Sequence, residues 1–200
     1  MATIIPGKLI YLAHPRTASS AMAVTLQEIP NAKPRFGHHD TIEKIRERVH
    51  WLKDEVTVTT IRNPYDLLTS WWCVRPTADW MDMHGRIHKQ PWPTFDLFIC
   101  KFDTPYFRFR DPMFYHLPTD RVLRFEYLQD DFDKLCVEFD LPIKQILPHN
   151  VTPNKQPWVT YYQECPAAIQ AAQDRFGDEI ERLNYGNFNG ALEWKPSLCD

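Results

Sequence analysis

The sequence predicts an α/β fold, with a central parallel sheet flanked by helices in one domain over residues 1–200. Three observations carry that expectation. Apolar and β-branched runs alternate with segments of helical period, the pattern of parallel strands covered by helices on both faces. Two of those runs, Lys8 to His14 and Val56 to Ile61, each lead through a short polar turn into a helix. Hydrophobic residues make up 44% of the 200 positions and charged residues 24%, enough apolar surface for a sizeable core.

The elements follow in order. Lys8 to His14 is the first strand and Ser19 to Ile29 its helix. Pro34 to Gly37 is a short second strand. Thr41 to Leu52 places Ile42, Ile45, Val49 and Leu52 at helical spacing, with Asp40 as N-cap and Glu43 at the third position. Val56 to Ile61 is β-branched almost throughout, which marks a strand covered on both faces. Pro64 opens the next helix, where its missing amide costs nothing. Val74 to Pro118 is irregular and aromatic, with one short helix at Phe95 to Phe102. Arg121 to Phe125 returns as a strand, followed by a helix through Leu128, Phe132, Leu135 and Phe139. His149 to Trp158 is a polar loop. A long helix then runs from Pro166 through Ile169, Phe176, Ile180 and Leu183 to a stop at Tyr185-Gly186.

Composition excludes several function classes. A formal net charge of -3 argues against general nucleic-acid binding. The 5 cysteines are scattered without a Cys-x-x-Cys, so reduced thiols in a cytoplasm are expected rather than a disulfide framework or a zinc ribbon. Ile4 to Ala13 is interrupted by Pro6, Gly7 and Lys8 and reads as a core strand, not a signal peptide. No run reaches the length of a bilayer span. The expectation is a cytoplasmic protein without nucleic-acid or membrane partners.

The two strand-to-helix turns hold the chemistry. The first, Pro15-Arg16-Thr17-Ala18-Ser19-Ser20, combines a cation with hydroxyl side chains just before a helix, whose first amides lack internal partners and suit an anion. The second, Arg62-Asn-Pro-Tyr-Asp-Leu-Leu-Thr-Ser70, repeats the arrangement. Two anion-binding turns at the ends of two strands suggest one ligand with two separate phosphates. Neither turn is a Walker A loop: the first has no glycine and no Lys-Ser/Thr pair, which disfavours an ATP kinase. The plain alternatives are an ordinary Ser19 or Ser20 N-cap at the first turn and a Pro-initiated helix with a solvated arginine at the second.

These turns resemble the two signature motifs of the sulfotransferases that use 3′-phosphoadenosine 5′-phosphosulfate. Residues 15–20 are similar to the family's 5′-phosphosulfate loop, and Arg62 to Ser70 to its 3′-phosphate motif. Val122-Leu-Arg-Phe-Glu-Tyr-Leu resembles a strand-to-helix segment of the family, and the stretch from His149 and Asn150 through Tyr161-Tyr162 to Asp178 and Tyr185-Gly186 is similar to the carboxyl end of the glycan-modifying branch. Residues 74–118 are the least matched.

The resemblance implies a P-loop-like domain, the phosphosulfate nucleotide as donor, no metal, and a hydroxyl or amine on a small molecule or glycan as acceptor. Arg16, Thr17, Ala18, Ser19 and Ser20 would hold the 5′ groups, and Arg62 and Ser70 the 3′-phosphate. Asn154 and Lys155, in the polar loop, would close over the donor or else form a plain solvated turn. Arg16 stands where most of the family carries Lys; it keeps the charge that stabilises the leaving phosphate but is a poorer proton donor.

The acceptor must lose a proton, and a histidine near neutrality suits that task. His38 or His39, after the short strand, is the candidate base, the plain alternative being one histidine packed against the first loop and the other solvated. Glu126 is the second candidate or else a helix-capping residue, and His14 has a structural role. Trp71, Trp72, Trp80, Trp92, Phe95, Tyr106 and Phe107 form either an acceptor cleft or core. Arg75, His84, Arg86 and His88 suggest an anionic acceptor or plain surface charge. The rivals are a nucleotide kinase with an atypical phosphate loop and a non-catalytic protein that binds the nucleotide.

Overall fold

The chain is seen in a computed structural model, which describes residues 2–35, 41–52, 54–74, 80–81, 87–88, 94–101 and 119–185. It divides into two compact units, one formed by Met1–Arg62 with His116–Val151 and the other by Asn63–Tyr115 with Thr152–Asp200.

The first unit is built on a five-stranded sheet in which the strands starting at Lys33, Ala2, Leu9, Val56 and Arg121 lie side by side in that order. Its strands are β1 (Ala2–Ile5), β2 (Leu9–Leu12), β3 (Lys33–Arg35), β4 (Val56–Ile61) and, after the crossover through the other unit, β7 (Arg121–Arg124). β2, β4 and β7 run parallel, pairing Leu12 with Thr59 and Ile61 with Arg124. The α/β class stands, but the sheet is mixed rather than parallel: β1 lies antiparallel to both β2 and β3. The cause is Pro6-Gly7. Pro at the second turn position and Gly7 at φ 71°, with the Lys8 amide on the Ile5 carbonyl at 3.0 Å, follow the pattern of a type II turn. What looked like an interruption of one strand is a hairpin. Pro34 is tolerated because β3 is an outer strand.

Helices cover both faces. Alternation along the strands sends Ile4, Ile10 and Leu12 to one side, against Ile45 of α2 (Ile42–Arg48) and Val49 at its C-cap, with Ile42 and Leu52 at the margin. Ile5, Leu9, Tyr11 and Val58 face the other side. There they meet Met22 and Leu26 of α1 (Ser19–Gln27) and Phe132 and Leu135 of α5 (Leu128–Glu138). Each such buried side chain contributes roughly 1.5–3 kcal/mol. Thr41, not Asp40, holds the N-cap position of α2, and Asp40 lies outside the described residues.

The regular structure of the second unit, among its described residues, is helical apart from a ribbon of β5 (Trp80–Met81) and β6 (Ile87–His88). Its helices are α3 (Pro64–Val74), α4 (Phe95–Lys101), α6 (Trp158–Glu164) and α7 (Ala167–Arg182). Its core is aromatic: Trp72 packs at 5.4 Å from both Phe95 and Phe98, and Tyr65 stacks on Trp158 at 5.9 Å. The Tyr162 hydroxyl, fully buried, donates to the Tyr65 carbonyl at 3.1 Å. α6 is absent from the sequence expectation, although Trp158, Tyr161 and Tyr162 have helical spacing. No helix among the described residues is long and apolar enough to cross a membrane.

Candidate functional site

Because β2, β4 and β7 are parallel neighbours, their carboxyl ends share one edge of the sheet, the side where open α/β sheets bind ligands. The loop after β2 carries residues 13–18, β4 is followed by Arg62, and β7 by the 3-10 turn Phe125–Tyr127.

The first loop is held in a costly conformation. Arg16 has φ 64° and Ala18 φ 60°, left-handed values that cost a non-glycine residue about 1 kcal/mol or more each. The Thr17 hydroxyl, fully buried, donates to the His14 carbonyl at 2.9 Å, and His14 is itself buried. Ala18 is the N-cap of α1, and no side chain caps the helix there. Neither Ser19 nor Ser20 is the cap; both are half-buried and lie in the first helical turn. The Met22 amide bonds back to the Ala18 carbonyl at 3.0 Å. Amides at the start of a helix with no capping side chain suit an anion, and Arg16 stands two residues before the N-cap position.

Arg62 reaches this loop. Its Nη1 donates to the Arg16 carbonyl at 2.8 Å, and its guanidinium carbon lies 4.0 Å from the centre of the Phe125 ring. Only 9% of Arg62 is exposed. Arg16 and Arg62, 46 positions apart and each from one of the two motifs, thus meet within the first unit.

The second turn differs from expectation. Asn63 Oδ1 accepts the Tyr65 amide at 2.8 Å and, more weakly, the Asp66 amide at 3.4 Å. The Leu67 amide bonds to the Asn63 carbonyl at 2.8 Å, and Pro64 has no amide to offer. The first turn of α3 is therefore closed to an anion by its own cap. Among the described residues, the helix after the first turn starts without a capping side chain, whereas the helix after the second is capped by Asn63.

The other named residues fall as follows. Ser70 is buried in α3, in the second unit. Asn154 is exposed at φ 55°, and Lys155 is ion-paired with Asp66. Glu126 is exposed on the 3-10 turn. Arg124 is committed to Asp131 through Nε at 2.9 Å and Nη2 at 2.7 Å, which makes its motif a structural brace. Trp72 and Phe95 belong to the core of the second unit, and Trp71 is half-buried. His38, His39, Arg75, His84, Arg86, Trp92, Tyr106, Phe107 and the side chains of Trp80 and His88 lie outside the described residues.

Three contributors escaped the sequence reading. Asn63 was legible as an N-cap from the Asn-Pro pair, since Asn favours that position and Pro the next. Phe125 and Asp66 had no such signal, because a ring under a guanidinium and a distant ion pair depend on the fold. Protein-family models, curated proteins and solved structures offer no match to this chain.

Proposed function

We propose that this protein is a sulfotransferase of the P-loop-like type, transferring a sulfuryl group to a hydroxyl or amine on a small molecule or glycan. The observation that carries the reading is the bond from Arg62 to the Arg16 carbonyl. It joins the two motifs on which the family resemblance rests, at the carboxyl edge of the parallel strands. The donor set fits an anionic nucleotide: a cation at Arg16, hydroxyls at Ser19 and Ser20, uncapped helix amides, and the Arg62 guanidinium.

When bound, 3′-phosphoadenosine 5′-phosphosulfate supplies the sulfuryl group and the leaving phosphate. As the acceptor oxygen or nitrogen bonds to sulfur and the bridging S–O bond breaks, negative charge grows on the 5′-phosphate. Arg16 and the first amides of α1 stabilise that charge. Arg16 keeps its proton throughout, so it acts by charge and not as a proton donor. His38 or His39 takes the acceptor's proton. A cytoplasmic setting is part of the same proposal, supported by the free thiols at Cys73, Cys100, Cys136 and Cys165.

Thermal shift with 3′-phosphoadenosine 5′-phosphate, against ATP with and without magnesium, tests the reading. Stabilisation by the bisphosphate without magnesium is expected. Stabilisation by ATP with magnesium alone would transfer the site to a kinase. Bisphosphate binding without sulfate transfer to any acceptor would leave a nucleotide-binding protein.

A further inference from the structure

Arg62 makes two contacts that a simple phosphate ligand does not need. Its Nη1 holds the Arg16 carbonyl at 2.8 Å, and its guanidinium sits 4.0 Å above the centre of the Phe125 ring. The carbonyl it grips belongs to a residue in the left-handed region. A carbonyl's direction fixes the peptide plane, and with it the amide of the next residue. A strained backbone persists only where its surroundings over-determine it. Here Thr17 ties the loop to His14 on one side, and Arg62 ties it to the end of β4 on the other.

We infer that Arg62, seated on Phe125, is a positioning residue for the loop at 14–20. The loop's affinity for a 5′-phosphate then depends on Arg62 even when the ligand has no 3′-phosphate. Phe125 is the platform: the ring face attracts the cation and fixes where the donor points. The inference rests on the nucleotide reading above and deepens it, since it couples the two motifs through protein contacts rather than through the ligand.

Calorimetry with adenosine 5′-monophosphate, beside 3′-phosphoadenosine 5′-phosphate, separates the possibilities. Arg62→Ala and Phe125→Leu are each expected to weaken binding of the monophosphate by about tenfold or more, the scale of one charged hydrogen bond. Phe125→Trp keeps an aromatic face and is expected to bind as wild type does. If Arg62→Ala loses affinity only for the bisphosphate, Arg62 is merely a 3′-phosphate ligand and the positioning role is overturned. Should Arg62→Ala fail to fold, the Phe125 variants decide: equal monophosphate affinity in Leu and Trp overturns the inference. Wild-type protein that binds the bisphosphate but not the monophosphate overturns it too, because the loop then has no independent affinity to support. Wild-type protein that binds neither sinks the nucleotide reading itself.

Discussion

The side-chain oxygen of Asn63 accepts the amide of Tyr65 at 2.8 Å, and this one bond makes the two strand-to-helix turns unlike. α3 is capped from within, whereas α1 begins at Ala18 with no capping side chain. Removing the cap should therefore cost stability. Asn63→Ala is expected to lose about 1 kcal/mol, with Asn63→Asp close to wild type. Chemical denaturation monitored by circular dichroism checks both, and an Ala variant as stable as wild type would show that the cap contributes nothing.

Ala18 reverses the usual cost of glycine. Gly in place of Ala ordinarily destabilises by roughly 0.5–1 kcal/mol. At φ 60° the Cβ is itself the source of strain. Ala18→Gly is expected to be neutral or stabilising, and Ala18→Val to lose about 1 kcal/mol or more, since a β-branched residue suits this conformation least. Melting temperatures of the two variants decide the point, and a marked fall for Gly would contradict the strain.

The Arg124–Asp131 pair sets an acid dependence. Burial alone would raise the Asp131 carboxyl, but the hydrogen bonds from the Arg124 side chain and amide outweigh it and hold the group below the usual carboxylate range. A folded-state value lower than the unfolded one means stability fully present above the unfolded range, about 4, and lost as pH falls through the folded value. Asp131→Asn is expected to lose about 1 kcal/mol at neutral pH, kept small by the 37% exposure of the Arg124 side chain, and to flatten the acid limb. Denaturation series from pH 7 to pH 2, on both proteins, test this; parallel curves would rule it out.

Cys136 and Cys100 should differ in reactivity. Burial, with a smaller push from Asp133, raises the Cys136 thiol to about 11 from its ordinary 9.0, while Cys100 is exposed. The thiolate is the reactive form, so alkylation of the native protein is expected at Cys100 and not at Cys136. A raised folded-state value contributes stability that is complete below about 9 and lost as pH climbs towards about 11. Peptide mass mapping after brief iodoacetamide treatment reads the first expectation. Equal labelling of the two thiols would refute it.

Local order was largely legible in the sequence. Val56 to Ile61 is the strand its β-branched composition implied. Ile42 and Ile45 mark the face that α2 buries, although the helix stops at Arg48 and Val49 and Leu52 reach the same cluster from beyond its end. Leu128, Phe132 and Leu135 mark the buried face of α5. Pro64 opens α3 as its fixed φ and missing amide require. What failed locally was the Pro6-Gly7 turn, where a break and a hairpin look alike until pairing shows which one forms.

The chain alone determined its α/β class, its apolar faces and the position of an arginine after each of two strands, because these depend on periodicity and on neighbours close in sequence. Only the tertiary structure decided that Arg62 grips the Arg16 backbone, that Phe125 lies beneath it, and that Asn63 closes the second helix end. The first two rest on which strands pair side by side, a matter of long-range packing. The third depends on which way a single amide side chain turns, and no spacing of residues records that.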